Sequence, residues 1–208
     1  MTEEDYIAAH IDREPAALRA LYRDTHLHRL YPRMCTDHIQ GRLLAMLTRM
    51  IAPRKVLELG TFSGYSTLCF AGAMAPDGHI DTVEVDGEYA DDLRELFDRE
   101  APGMVQLHIG DAEEVVPALL AAGDYDLVFI DANKRRYPEY YELIVNNMRP
   151  GTYILADNTL WDDKVLDPAA DDPQTLGVRC FNDIVAADDS VEKIIIPVRD
   201  GLTVIRKK

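Results

Sequence analysis

From Lys55 onward, short apolar runs alternate with longer stretches whose apolar residues recur every three or four positions. The runs Lys55–Leu59, His79–Val85, Val105–Ile109, Asp126–Ile130, Thr152–Ala156, Val191–Ile196 and Leu202–Arg206 predict seven strands. Between them, Tyr89, Leu93, Leu96 and Phe97 share one face of a predicted helix, and Asp111 followed by Ala112, Glu113 and Glu114 reads as a capped helix start. Strands that alternate with helices make a parallel sheet covered on both faces. The last two runs depart from this. Only Pro197–Gly201 separates them, whereas a parallel crossover needs roughly a dozen residues. They must pair antiparallel, with Asp200-Gly201 in the turn. The predicted fold class is α/β and Rossmann-like: a seven-stranded, mostly parallel sheet with an antiparallel C-terminal hairpin and helices on both faces.

Before Lys55 the pattern is helical. Ala16–Tyr22 and Ile39–Met50 carry amphipathic spacing, with Pro32 between them and Pro53 closing the second. Some fifty residues are too few for an independent core. Residues 1–54 are therefore expected to form a helical lid on an α/β core of residues 55–208, together one domain. The stretch Asp162–Pro173 holds five Asp and one Lys and reads as a long solvated loop.

Composition narrows the picture. At 47% hydrophobic and 28% charged, the chain is not a disordered one. No apolar run approaches the roughly 18–20 residues of a membrane helix, so no membrane partner is expected. The acidic start MTEEDYIAAHIDREP has no apolar signal region, and Cys35, Cys69 and Cys180 show no metal-type spacing; a reduced, cytoplasmic protein is expected. Twenty-two Lys and Arg against 37 Asp and Glu leave a net charge of −15, which repels phosphate backbones over most of the surface.

The segment Val56-Leu-Glu-Leu-Gly60-Thr-Phe-Ser-Gly64-Tyr-Ser66 reads as strand, turn, helix. Glycines there let the backbone approach a ligand, and the helix start offers free N–H groups. The spacing is G-x-x-x-G. The dinucleotide fingerprint G-x-G-x-x-G would need glycine at 62, where Phe62 stands, and no P-loop lysine follows. The loop therefore favours a nucleoside-like ligand without a pyrophosphate. Glu84 ends the second strand, where an acid accepts hydrogen bonds from ribose hydroxyls, and Asp111 ends the third. Taken singly, these are an ordinary turn, a solvated strand end and a helix cap. Their order along one sheet edge is what points to a ligand.

Asp131 closes the fourth strand, and Asp157 with Asn158 closes the fifth. Ends of neighbouring strands converge, so two carboxylates and an amide oxygen can meet. That donor set suits a hard cation, Mg²⁺ first and Mn²⁺ or Ca²⁺ next; Zn²⁺ fits less well because no His or Cys joins. As isolated residues, Asp131 is a helix cap and Asp157-Asn158 a turn. Lys134 is either a solvated lysine beside Arg135 and Arg136 or a base facing a hydroxyl at the cation.

Together these pieces resemble the cation-dependent S-adenosylmethionine O-methyltransferases, the family of catechol and caffeoyl-CoA O-methyltransferases. The resemblance runs from about Met34 to the C-terminus. It rests on Glu58-Leu-Gly-Thr-Phe-Ser-Gly-Tyr-Ser66, on Phe129-Ile-Asp-Ala-Asn-Lys134 with Tyr137, and on Ala156-Asp-Asn158 followed by Leu160-Trp161. It implies the methyltransferase variant of the Rossmann-like fold and S-adenosyl-L-methionine as cofactor. Glu58, Gly60, Phe62 and Ser66 would surround its methionine end, Glu84 its ribose, Asp111 and Ala112 its adenine, with Met34 and Thr36 above it from the lid. Asp131 would touch both cofactor and cation, and Asp157 and Asn158 would complete the metal ligands. Lys134, with Asp131, would be catalytic; Lys134, Tyr137 and Trp161 would line the acceptor, the two rings either stacking on it or serving as packing. The chain departs from the family pattern at Asn133, where many members have Asp, and at Asp163, where Gly often stands. A homodimer is also implied.

The expected reaction is methyl transfer to one hydroxyl of a vicinal dihydroxy aromatic small molecule. Such a hydroxyl is mostly neutral at pH 7, with a reference value near 10, and a bound dication favours its ionised form. The alternative acceptor is a hydroxylated uridine in tRNA, which needs a basic patch; Arg135, Arg136 and Arg179 are the candidates. A non-catalytic cofactor-binding module would have no need of Lys134 and the acids. A nicotinamide oxidoreductase would need the missing fingerprint.

Overall fold

A computed structural model describes residues 1–208, the side chain of Glu4 excepted. Five strands run parallel: β1 (Lys55–Leu59), β2 (His79–Glu84), β3 (Val105–Ile109), β4 (Leu127–Ile130) and β5 (Tyr153–Asp157). β7 (Leu202–Lys207) pairs antiparallel with both β5 and β6 (Val191–Ile196), giving the order β3-β2-β1-β4-β5-β7-β6. All seven expected strands form, with ends within one residue of the apolar runs. The turn joining β6 to β7 differs in detail from the expected Asp200-Gly201. The Gly201 N–H donates to the Val198 carbonyl at 2.9 Å, and Arg199 (φ 47°) is left-handed as well as Gly201 (φ 85°). The Arg199 side chain is held across the molecule, by Gln40 and Asp37.

Helices α1 (Glu3–His10), α2 (Ala16–His28) and α3 (His38–Ile51) precede the sheet; α4 (Tyr65–Ala71), α5 (Ala90–Glu100), α6 (Ala112–Ala122), α7 (Tyr137–Val145) and α8 (Pro173–Ala187) follow within it. Their starts are chemically marked. Asp37, Asp111 and Asp172 each accept a backbone N–H two or three residues ahead, which satisfies a donor the first turn leaves free. Tyr89, expected on the apolar face of α5, is instead the residue before that helix, and its ring lies under the Arg29 guanidinium at 3.6 Å.

The strand runs are apolar throughout because both faces are covered. Leu57, Leu59, Val128 and Ile130 pack with Val116, Tyr141, Ile144 and Phe181 of α6, α7 and α8. Val56, Leu127, Phe129 and Leu155 pack with Leu44, Phe70, Leu93 and Phe97 of α3, α4 and α5. Each such side chain contributes about 1.5–3 kcal/mol by leaving water. β1 pairs with β2 on one side and β4 on the other, so the connections diverge there and a crevice opens at the carboxyl ends of β1 and β4.

Candidate active site

The glycine loop touches the end of β4. Gly60 has φ 96°, and a Cβ on it would fall 2.1 Å from the Asp131 carbonyl oxygen, so no side chain fits there. Past it, the Phe62 N–H donates to Glu84 at 2.7 Å, and the other Glu84 oxygen accepts from the Asp86 N–H at 3.0 Å. This fixes the half-buried carboxylate while leaving each oxygen a further lone pair.

Behind the loop, Glu58 is fully buried and accepts from the hydroxyls of Ser66 (2.6 Å), Thr67 and Thr82 (2.7 Å). Burial pushes its carboxyl up to about 7, and the three hydroxyls pull it the other way. Glu58 thus lies beneath the loop rather than on the surface where a cofactor would touch it. Ser66 faces both ways: it donates to Glu58 and lines a small hollow. Met34 and Thr36 reach that hollow from the segment between α2 and α3, Gly60 and Phe62 from the loop, and Asp131 from β4. Cys35, which no sequence pattern singled out, lines it too; burial pushes its thiol up, so it is no nucleophile. Asp111 and Ala112 lie outside the hollow, at the end of β3. Asp111 is exposed and caps α6, accepting from the Glu113 N–H at 2.8 Å, so the cap reading of this residue is realised.

Beyond the hollow is an acidic cluster. Lys134, itself buried, donates to Asp131 Oδ1 at 2.6 Å and to the Tyr137 hydroxyl at 2.7 Å. The Tyr137 hydroxyl in turn reaches the carbonyls of Ile130 (3.1 Å) and Asp157 (3.0 Å) and donates its one proton to either. The Tyr137 ring is fully buried and meets Phe181 edge-on at 5.5 Å. In this packing Tyr137 is a brace beneath Lys134. Trp161 is partly exposed, and its indole N–H has no partner.

Asp157 is buried, and its Oδ1 accepts the Asn158 N–H at 2.9 Å. Burial first and the Asp131 charge second push its carboxyl up to about 6, while Lys134 and Gln40 pull it down. Asp200, from the turn between β6 and β7, faces Lys134 and the Asn158 side chain, and burial pushes its carboxyl up as well. In the chain it is a turn residue in an Asp-Gly pair; no local pattern marks it for the site. Its backbone and side chain also accept the N–H groups of Leu160 and Asp162.

Asn158, Trp161, Asp162 and Asp163 all have left-handed φ, between 50° and 59°. For non-glycine residues each such conformation costs on the order of 1–3 kcal/mol, least for Asn and Asp. At Asp163 (φ 59°) this gives the reason a glycine would be at home there.

Among the described residues no three of His, Cys, Asp and Glu gather as a metal cluster. Asp131 and Asp157 lie at the ends of β4 and β5, with Asn158 next to Asp157. Asp131 pairs with the Lys134 ammonium, whose charge also acts on Asp157 and Asp200, so negative charge is in surplus, and a hard dication fits that chemistry. Two of the three arginines that could have made a basic patch are engaged elsewhere. Arg136 pairs with Glu113 and Glu139, and Arg179 donates to the carbonyls of Lys164, Val165, Asp167 and Ala170. No described helix is long and apolar enough to cross a membrane.

Residues 8–208 match the family model described as O-methyltransferase. A catechol O-methyltransferase of Niastella koreensis is 36% identical over 168 residues, 79% of this chain and 76% of that one. A caffeoyl-CoA O-methyltransferase of Stellaria longipes is 31% identical over 205 residues, 94% of this chain and 85% of that one. Among solved structures, the O-methyltransferase TomG of Streptomyces achromogenes, in complex with S-adenosylmethionine, superposes with a TM-score of 0.90 at 30% identity, covering 100% of both chains. An O-methyltransferase of Bacillus cereus in complex with S-adenosylhomocysteine gives 0.89 at 27%, covering 98% of this chain and 96% of that one.

Proposed function

The chain belongs to the O-methyltransferase family and is an S-adenosylmethionine-dependent enzyme, and from that premise we propose that it methylates one hydroxyl of a vicinal dihydroxy aromatic small molecule with the aid of a divalent cation. The observation that carries this reading is the meeting of Asp131, Lys134 and Asp157 at the carboxyl edge of β4 and β5, beside the hollow shared by the glycine loop and the lid. The names of the two relatives support it, since a catechol and a caffeoyl group both carry adjacent ring hydroxyls.

In this reading Glu84 spends its free lone pairs on ribose hydroxyls, and Asp111 and Ala112 flank the adenine. The Gly60–Phe62 backbone and Ser66 hold the methionine end, with Met34 and Thr36 over it. Glu58 acts from behind, tying Ser66 and Thr82 to the loop. The cofactor supplies an electrophilic methyl group. Asp131, Asp157 and Asn158 would hold the cation, which supplies the charge that favours a phenolate over a phenol. Asp131 and Tyr137 hold Lys134 in place; its neutral amine, which a cation bound beside it would favour, receives the acceptor's hydroxyl proton and becomes the ammonium. Trp161 flanks the ring. Holding both partners in line removes a barrier of up to about 7–11 kcal/mol. The five Asp of residues 162–173 disfavour a polyanionic acceptor. The proposal takes magnesium as the cation and a homodimer as the assembly from the family resemblance.

The test is methyl transfer from S-adenosylmethionine to a panel of dihydroxy-aromatics, their monohydroxy analogues and bulk tRNA, with and without chelator. Diols should be methylated, chelator should stop the reaction and Mg²⁺ should restore it. A rate unchanged after all divalent cations are stripped, or turnover with tRNA alone, overturns the proposal.

A further inference from the structure

Gln40 sits in the first turn of α3, 1% exposed, on the side of the sheet where β4 and β5 end. Its Oε1 accepts from Arg199 Nη1 at 2.7 Å. Its Nε2 is buried and has no hydrogen-bond partner, and Gln40 is among the groups that pull the Asp157 carboxyl down. Arg199 fixes which way the amide points. With its Nε on Asp37 at 3.2 Å and its Nη1 on Gln40, the guanidinium claims the amide oxygen, and the NH₂ is the end left without a partner. Asp37 is in turn the cap of α3, accepting from the Gln40 N–H at 2.9 Å.

The three elements involved are far apart in the chain. Gln40 belongs to the lid, Asp157 to β5, and Arg199 to the turn whose next residue, Asp200, faces Lys134 and Asn158. A buried amide N–H without an acceptor costs about 1–3 kcal/mol. A small movement of Asp157 toward it removes that cost and gives the carboxylate a fixed donor.

We propose that Gln40, oriented by Arg199, is a positioning residue for the cation site: its amide holds the Asp157 carboxylate in the orientation it shares with Asp131, so that docking of the lid completes the ligand set. This rests on the cation reading above. Groups that orient a metal ligand from behind typically govern about 10- to 100-fold in affinity.

The experiment measures Mn²⁺ binding to the full chain by electron paramagnetic resonance, S-adenosylmethionine binding by calorimetry, and thermal unfolding. Gln40→Leu keeps the volume and removes the amide; Gln40→Met serves if the first variant does not fold. Mn²⁺ affinity should fall about 10-fold or more while cofactor affinity stays as in the parent, the melting curve showing that the variant is folded. Arg199→Met should act in the same direction, and the double variant should lose no more than the larger single loss, because both act through one amide. Unchanged Mn²⁺ affinity in Gln40→Leu overturns the inference, as does an equal fall in cofactor affinity. If the parent chain itself binds no Mn²⁺, the cation reading fails and takes this inference with it. If the parent binds and Gln40→Leu binds equally, this inference alone fails.

Discussion

Gly177 and Lys134 meet backbone to backbone: a Cβ on Gly177 would fall 2.4 Å from the Lys134 carbonyl oxygen and 2.8 Å from Arg135 Cα. Helix α8 therefore rests directly on the 3-10 turn Lys134–Arg136 that carries the candidate base. Alanine inside a helix normally stabilises relative to glycine. Here it must displace the turn by about an ångström, because the interior is close-packed. Gly177→Ala should lower the melting temperature and reduce kcat by about 100-fold, since misplacement on that scale costs about as much. Lys134→Ala should abolish turnover. Both variants should keep their cofactor affinity, measured by calorimetry; a Gly177→Ala enzyme with parental kcat would show that α8 does not set the height of Lys134.

Glu58 gives the fold a pH dependence. Its carboxyl is held near 7 in the folded chain by burial, above the 4.5 of a free glutamate. The folded state therefore binds the proton more tightly than the unfolded one. The stability this supplies is present in full below about 4.5 and is lost as pH rises through about 7. The loss is on the order of 3 kcal/mol. Glu58→Gln removes the ionisation, and the surrounding hydroxyls can rotate to accept from the amide. Denaturant titrations between pH 5 and 8 should show the parent losing stability as pH rises and Glu58→Gln losing clearly less. Parallel curves would place the pH dependence elsewhere.

Arg179 spends its guanidinium on four backbone carbonyls of the acidic loop, at 2.8–3.3 Å. The rigid planar fork can serve several diverging acceptors, which a lysine ammonium cannot. Arg179→Met should loosen residues 164–170, raise the KM for the acceptor about tenfold (about 1.4 kcal/mol) and leave cofactor affinity alone. Proteases should cut the loop faster, and Arg179→Lys should not rescue the KM. A rise in cofactor Kd equal to the rise in acceptor KM would mean that Arg179 supports the whole fold rather than the loop.

Strands, the capped start of α6 and the sheet's mixed direction were legible in the chain because each depends on residues within a turn or a hairpin. Leu57 and Val128 are apolar for the same reason wherever they sit in a covered sheet, and Asp111 announces a helix start through a bond two residues away. The position of Glu84, Asp131 and Asp157 at strand ends followed from the same pattern. The fate of Tyr137 did not. An aromatic beside a basic run reads equally as a stacking surface or as core, and the packing of α7 against Phe181 of α8 decided for core. Glu58 shows the same limit: the motif marks the residue, and burial beneath three hydroxyls decides that it acts through the loop.

Apolar period, caps and chain reversals, all written in nearby residues, were enough to lay out a sheet whose carboxyl edge carries a cofactor loop and a row of acids. Which side chains then meet was settled in space. Arg199 finds Gln40 across 159 residues, Asp200 arrives beside Lys134 from the final hairpin, and Asp157 owes its raised carboxyl to depth and to Asp131. Hydrogen-bond partners and carboxyl charge follow distance and burial, and neither quantity is set by separation along the chain.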